Sequence, residues 1–172
     1  LDALELGKIS VGPPYFNSVF VPLTVPLALL IGVGALARWK RDKVGNLAQQ
    51  LWPAAAISLV VGTLSIAVVA PSFQWGAVLG MVLAIWVLLS TLVGLRQRLA
   101  NRSSMMAGLR SVSRSYWGMM LGHIGVATFI VGVTLVSIYS TEKDVRLEPG
   151  HSYELSGYSF EFVRVEDFKG PN

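Results

Sequence analysis

The sequence predicts an all-α integral membrane protein of about four transmembrane helices, followed by the start of a small extracytoplasmic β domain. Hydrophobic residues make up 53% of the 172 residues and charged residues only 14%, against about 25% charged residues in soluble domains. Several long apolar stretches follow one another, and a helix needs roughly 20 apolar residues to cross a bilayer. After Ser140 the pattern becomes charged and alternating, which is typical of β strands.

The first span is predicted at about residues 18–37, after an extracytoplasmic segment of residues 1–17. Pro13 and Pro14 predict an extended or turning approach to the membrane, and Asn17 is a good N-cap for a helix that begins just after it. The basic run RWKRDK follows the span at once, and basic residues beside a span mark the cytoplasmic side. The positive net charge of +4 therefore indicates membrane topology and not nucleic acid binding.

The second and third spans are predicted as an antiparallel hairpin at about residues 54–70 and 76–95, joined by an uncharged turn with aromatic anchors. Residues 47–51 are predicted to form a helix parallel to the membrane surface, with Pro53 near the first position of the second span. The loop after the third span is long enough for a short amphipathic helix. Its arginines have no acidic residue among them, so we expect it on the cytoplasmic side, in contact with anionic lipid: Arg96, Arg98, Arg102, Arg110 and Arg114.

The fourth span, about residues 118–139, contains the histidine on which the functional interpretation depends. Tyr116 to Ser140 has no Asp, Glu, Lys or Arg, and His123 lies in its first third. We expect the imidazole about one to two turns below the outer surface. On a helix His123 shares a face with Met119, Ala127, Ile130 and Thr134. The neighbouring face is predicted to consist of Gly118, Gly122, Gly125 and Gly132.

Both features of the fourth span have a structural and a functional interpretation. A glycine face indicates a tightly packed helix as often as a flat ligand, and an intramembrane histidine can simply hydrogen-bond a neighbouring helix. Ionisable residues at membrane depth are nevertheless costly and tend to be functional. A neutral imidazole is a good ligand for haem iron, and Gly122 and Met119 could pack against the porphyrin. No span contains a carboxylate, which disfavours an ion pump or channel.

Residues 140–172 are predicted as the start of a periplasmic β domain. Glu148 to His151 forms a turn, and Ser156-Gly157 connects strands at residues 153–155 and 158–162. A single hairpin is marginal in water, so we expect it to pair with strands from outside this sequence. His151 is expected to be solvent-exposed. The chain has no cysteine, which excludes disulfides and thioether attachment of haem to the chain itself.

Three motifs carry a family resemblance: KISVGPPYFN, RSYWGMMLGHIGVATFIVGVTLVSIYS and EKDVRLEPGHSYELSGYSFEF. They resemble the later part of the CcmF family, the haem lyase component of system I cytochrome c maturation. The resemblance implies a bacterial inner-membrane protein that takes haem from a periplasmic haem chaperone and joins it to apocytochrome c, alongside other maturation subunits. It also implies that His123, in the GHIG segment, is one of two transmembrane axial ligands of a resident haem b.

Several family features lie outside these residues. The second axial histidine, the tryptophan-rich WWD segment and the two periplasmic histidines that flank it are absent from the sequence. We therefore expect an interior piece of a longer polypeptide that does not contain the whole active unit, and no catalytic residue is assigned. Without the resemblance, the same residues predict a helix-packing module of a membrane transporter or channel with no haem. Both ends of the chain are expected on the periplasmic side.

Overall fold

Five helices and one β hairpin form the described part of the chain. The computed structural model describes residues 13–36, 44–71, 73–100 and 104–166. The helices are α1 (Pro13–Gly34), α2 (Val44–Val69), α3 (Trp75–Leu99), α4 (Met105–Ser111) and α5 (Arg114–Tyr139), and the strands are β1 (Ser152–Leu155) and β2 (Tyr158–Glu161). The chain divides into a helical unit that ends at Ile138 and a second unit that begins at Tyr139.

Three of the described helices are long and apolar enough to cross a membrane. They are Gly45–Val69 of α2, Trp75–Leu99 and Arg114–Tyr139. The apolar part of α1, Ser18–Gly34, is shorter. The mostly helical, membrane-capable character of the chain is thus confirmed, whereas the first of the four predicted spans stays a prediction.

The beginning of α1 differs from the predicted one. The helix starts at Pro13, and not after Asn17. Proline is tolerated in the first helical turn because its missing N–H has no intrahelical acceptor there, so the Pro13-Pro14 pair opens the helix instead of delaying it. The helix ends at Gly34, and the basic run at residues 38–43 lies outside the described residues.

α2 is one continuous helix through Pro53, so the separate surface helix predicted at residues 47–51 is wrong. Leu51 and Ala54, on either side of the proline, are both buried. The Gln97 side chain of α3 also donates a hydrogen bond to the Gln50 side chain, with 2.9 Å between the two atoms. Packing of this end of α2 therefore extends across the proline, as neighbouring helices allow in membrane proteins.

α3 is the central helix of the helical unit. In the most apolar part of α3, 44% of the residues are buried, compared with 22% in α2 and in α5. α2 approaches α3 closely at Gly62, where an added Cβ would lie 2.8 Å from the Val82 Cα of α3. α1 approaches at Gly32, which lies against the Trp86 indole. The indole Nε1–H also donates to the Leu29 carbonyl at 3.3 Å.

The chain between α3 and α5 forms the predicted short helix, α4. Its N-cap is Ser104, whose hydroxyl accepts the Ala107 N–H at 3.2 Å. At the start of α5, the Ser113 hydroxyl accepts the Tyr116 N–H at 3.3 Å. The Arg98 guanidinium lies over the Tyr116 ring, 4.0 Å from its centroid, and so links the end of α3 to the start of α5.

The second unit contains the predicted hairpin. β1 and β2 pair antiparallel, with Tyr153 opposite Phe160 and Leu155 opposite Tyr158. The connection is Ser156-Gly157, with φ values of 53° and 84°. Positive φ at both central residues is the mark of a type I′ turn, whose twist matches that of the flanking strands. The predicted strands and their connection are therefore confirmed, and His151 is exposed as predicted.

A peptide of residues 145–166 is expected to be unfolded in water. Every residue of β2 is exposed, with Tyr158 at 73% and Phe160 at 55%, and an isolated two-stranded hairpin is marginal. Amide hydrogen exchange of the peptide should therefore be as fast as in an unstructured chain. Slow exchange at the β1 and β2 amides would contradict this expectation and the predicted need for further strands.

Candidate functional site around His123

His123 is nearer the start of α5 than its end. Since α5 runs from Arg114 to Tyr139 and rises about 1.5 Å per residue, His123 is about 14 Å from the first residue and about 24 Å from the last. The basic loop before α5 is the one predicted to be cytoplasmic. In that orientation the imidazole would lie nearer the cytoplasmic end of the helix, so the predicted orientation and the predicted depth of one to two turns below the outer surface exclude each other, and both stay predictions.

The face of α5 that contains His123 is turned toward the rest of the bundle. Ala127, Ile130 and Thr134 are buried, as expected for residues on one helix face. His123 and Met119 are partly buried. The predicted grouping of these side chains on one face is therefore confirmed, and His123 lies at an interface between helices.

The glycines of α5 do not form a face next to His123. At roughly 100° per residue, Gly118, Gly125 and Gly132 lie on nearly the opposite side of the helix from His123. Only Gly122 is adjacent to it. An added Cβ on any of the four would have no described atom within 4 Å. The predicted glycine surface for a porphyrin beside His123 is thus reduced to Gly122, and no helix among the described residues packs on the other three.

Thr91 of α3 is the hydrogen-bonding partner of His123. Its Oγ1 lies 3.1 Å from the imidazole Nδ1 and 2.7 Å from the Val87 carbonyl of its own helix, to which the hydroxyl donates. Thr91 is only 1% exposed. Sequence reasoning missed Thr91, because a threonine in an apolar helix usually bonds only its own backbone, as Thr134 does with the Ile130 carbonyl at 2.8 Å.

The second ring nitrogen of His123 is available to a ligand. Nε2 has no hydrogen-bond partner among the described residues, and it is not among their buried unpaired side-chain atoms. No group of three or more His, Cys, Asp or Glu in the described ranges could hold a metal ion. A structural or catalytic zinc site needs at least three protein ligands, whereas haem iron takes only axial ligands from the protein. A single accessible imidazole in an apolar helix therefore fits haem.

Two clefts of the helical unit lie away from His123. One of about 380 Å³ lies between α1, α3 and α5 and is lined by residues such as Phe20, Leu83 and Phe129. The other, of about 400 Å³, includes Trp86 and Leu59. Neither cleft is lined by His123 or by any other titratable side chain. His123 is therefore the stronger candidate for chemistry within the described residues.

Curated relatives match the chain from end to end. It is 42% identical over 176 residues to the cytochrome c-type biogenesis protein CcmF of Pseudomonas fluorescens, covering 100% of the chain and 26% of that relative. It is 40% identical to CcmF of Pseudomonas aeruginosa, again over 100% of the chain and 26% of the relative. For CcmF of Escherichia coli the identity is 36% over 98% of the chain and 25% of the relative.

No family model and no solved structure matches the chain. The chain spans about a quarter of the length of the curated relatives it matches. These relatives and the three membrane-capable helices together indicate a multi-pass membrane protein. On the strength of its similarity to the CcmF proteins over the whole of its length, the chain belongs to the CcmF family of cytochrome c-type biogenesis proteins.

Proposed function

We propose that this chain supplies the His123 axial ligand of a haem b within a membrane protein of cytochrome c maturation. The proposal rests on the hydrogen bonding of the His123 imidazole. Its Nδ1 is held by Thr91 at 3.1 Å, while its Nε2 is accessible and unpaired among the described residues. A histidine that ligates a metal ion through one nitrogen usually donates its other N–H to a fixed partner.

The chain's own residues would hold and shield the haem. His123 would ligate the iron through Nε2, and Met119 and Gly122, the nearest of its predicted packing neighbours, would contact the porphyrin edge or face. The apolar helices would exclude water from the iron, and exclusion of water affects the reduction potential of a metal site. A bound haem b would supply a one-electron redox centre. The second axial histidine is expected from outside this chain.

Membership of the CcmF family supports a wider role. The complete protein is proposed to lie in the bacterial inner membrane, with both ends of this segment on the periplasmic side. It would receive haem from a periplasmic haem chaperone and deliver it to apocytochrome c, together with other maturation subunits. The Arg98 and Arg114 ends of α3 and α5 would face the cytoplasm, where basic residues contact anionic lipid.

The complete protein, purified from haem-replete cells, is expected to be coloured. Its reduced spectrum should contain a Soret band and b-type α and β bands. Acidified acetone should extract the haem, because the proposed haem b is held by axial ligation and not by thioether bonds. A stable but colourless preparation would contradict haem binding and would favour a helix-packing module of a transporter or channel.

A further inference from the structure

The Thr91 hydroxyl lies between two hydrogen-bonding groups on different helices. One is the Val87 carbonyl of α3 at 2.7 Å, and the other is the His123 Nδ1 of α5 at 3.1 Å. Thr91 is 1% exposed, so its hydroxyl has no access to solvent and must bond within the protein. The two contacts therefore form a chain from the α3 backbone to the imidazole.

The number of available protons determines which group donates in each of these two hydrogen bonds. A hydroxyl has one proton, and a carbonyl oxygen can only accept. The short contact with the Val87 carbonyl takes the Thr91 proton, so the proton between Thr91 and His123 must come from Nδ1–H. A neutral imidazole has a single N–H, which leaves the lone pair on Nε2. The hydrogen-bond chain thus selects the tautomer in which the accessible nitrogen can bind iron.

We infer that Thr91 is a positioning residue for the haem ligand, because its hydroxyl fixes the ring orientation and the tautomer of His123 and so tunes the reduction potential of the iron. The inference rests on the proposed function of His123. An acceptor on Nδ1–H raises the basicity of the ligating imidazole. A more basic ligand stabilises ferric iron more than ferrous iron, so the Thr91 hydroxyl should lower the reduction potential.

If the hydrogen bond between Thr91 and His123 had the opposite direction, loss of the Thr91 hydroxyl would have the opposite effect on haem binding. If Thr91 donated its proton to Nδ1, then Nε2 would have to hold the ring proton and could not ligate iron. In that case, removal of the hydroxyl would release the imidazole and increase haem binding. The direction of the change in haem affinity after loss of the Thr91 hydroxyl therefore distinguishes the two arrangements.

The test compares Thr91→Val, Thr91→Ala and Thr91→Ser in the complete protein. Val has the shape of Thr without its hydroxyl, Ala removes the hydroxyl in a smaller side chain, and Ser keeps it. Removal of a hydrogen-bonding partner behind a metal ligand typically lowers affinity by about 10- to 100-fold, and we expect that loss for Val and Ala. The midpoint potential should rise by about 59 mV for each tenfold loss of ferric over ferrous binding. Thr91→Ser should keep the wild-type haem affinity and midpoint potential.

Thr134→Val is the matched control, since it makes the same substitution at another buried threonine. Thr134 is 5% exposed, and its hydroxyl bonds only the Ile130 carbonyl. Ser90→Ala is a local control, because the Ser90 hydroxyl donates to the same Val87 carbonyl as Thr91, at 3.1 Å. Both variants should keep the wild-type potential in a spectroelectrochemical titration.

Three results would overturn the role of Thr91. The first is an unchanged midpoint potential and haem affinity in both Thr91→Val and Thr91→Ala, and the second is tighter haem binding in either variant. The third is a shift of the midpoint potential in Thr134→Val as large as that in Thr91→Val. The proposed function fails separately, if His123→Ala retains its haem. If His123→Ala loses its haem while Thr91→Val and Thr91→Ala are unchanged, His123 stands as a ligand and only the positioning role of Thr91 is wrong.

Discussion

Replacement of His123 by alanine is expected to abolish the b-type haem spectrum of the complete protein while leaving its insertion intact. Alanine lowers the cost of burying this position in the bilayer, so α5 should insert at least as well as before. Changes in residues behind a metal ligand already cost about 10- to 100-fold in affinity, and loss of the ligand itself should cost more. Haem per protein, measured as the pyridine haemochrome, reports the outcome.

His151→Ala is the matched control for this change. It removes the other histidine of the chain, which is exposed in the second unit, and the haem content should remain at the wild-type level. Exogenous imidazole should partly restore the spectrum of His123→Ala by occupying the vacated axial position.

If His123 has only a structural role, His123→Ala should give a different result. Loss of its hydrogen bond to Thr91 would then cost about 0.6 kcal/mol, the average for polar contacts between membrane helices, and the spectrum would persist. Unchanged haem content, Soret position and reduction potential in His123→Ala would therefore exclude the axial-ligand assignment, whatever the yield of cytochrome c.

Features that depend on local chemistry could be predicted from the sequence. Three of the four spans predicted from the apolar stretches correspond to membrane-capable helices, because length and hydropathy are sufficient for that inference. Ser156-Gly157 predicted the hairpin because few residue pairs tolerate positive φ at both turn positions. His123 stood out because an ionisable residue is rare within a span. Its shared face with Ala127 and Ile130 followed from helical periodicity alone.

Features that depend on tertiary packing could not be predicted. Pro53 indicated a helix start, but burial of Leu51 and Ala54 holds α2 continuous across it. Thr91 has the same local pattern as Thr134, and only the position of α5 distinguishes them. The glycine spacing of α5 predicted a packing face that no described helix covers, whereas Gly62 of α2 lies close to the α3 backbone. A glycine pattern shows where a helix could approach, not where one does.

Gly62→Leu is expected to destabilise the helical unit strongly. A Cβ at Gly62 would lie 2.6 Å from the Val82 Cγ2, 2.8 Å from its Cα and 2.9 Å from its backbone nitrogen. Two of these atoms belong to the backbone of α3 and cannot rotate away, so α2 and α3 would have to separate. Overpacking of this kind typically costs about 1–3 kcal/mol and occasionally more. A lower midpoint of thermal unfolding in detergent would report it.

Gly132→Leu makes the same change where the structure has room for it. Gly132 lies on the open face of α5, and an added Cβ would meet no described atom within 4 Å. Leucine is also a better helix former than glycine by about 1 kcal/mol, so this variant should be as stable as the wild type or slightly more stable. Equal stability of Gly62→Leu and the wild type would show that α2 and α3 do not approach at Gly62. A large loss in Gly132→Leu would instead show that another helix of the complete protein covers the face of α5 opposite His123.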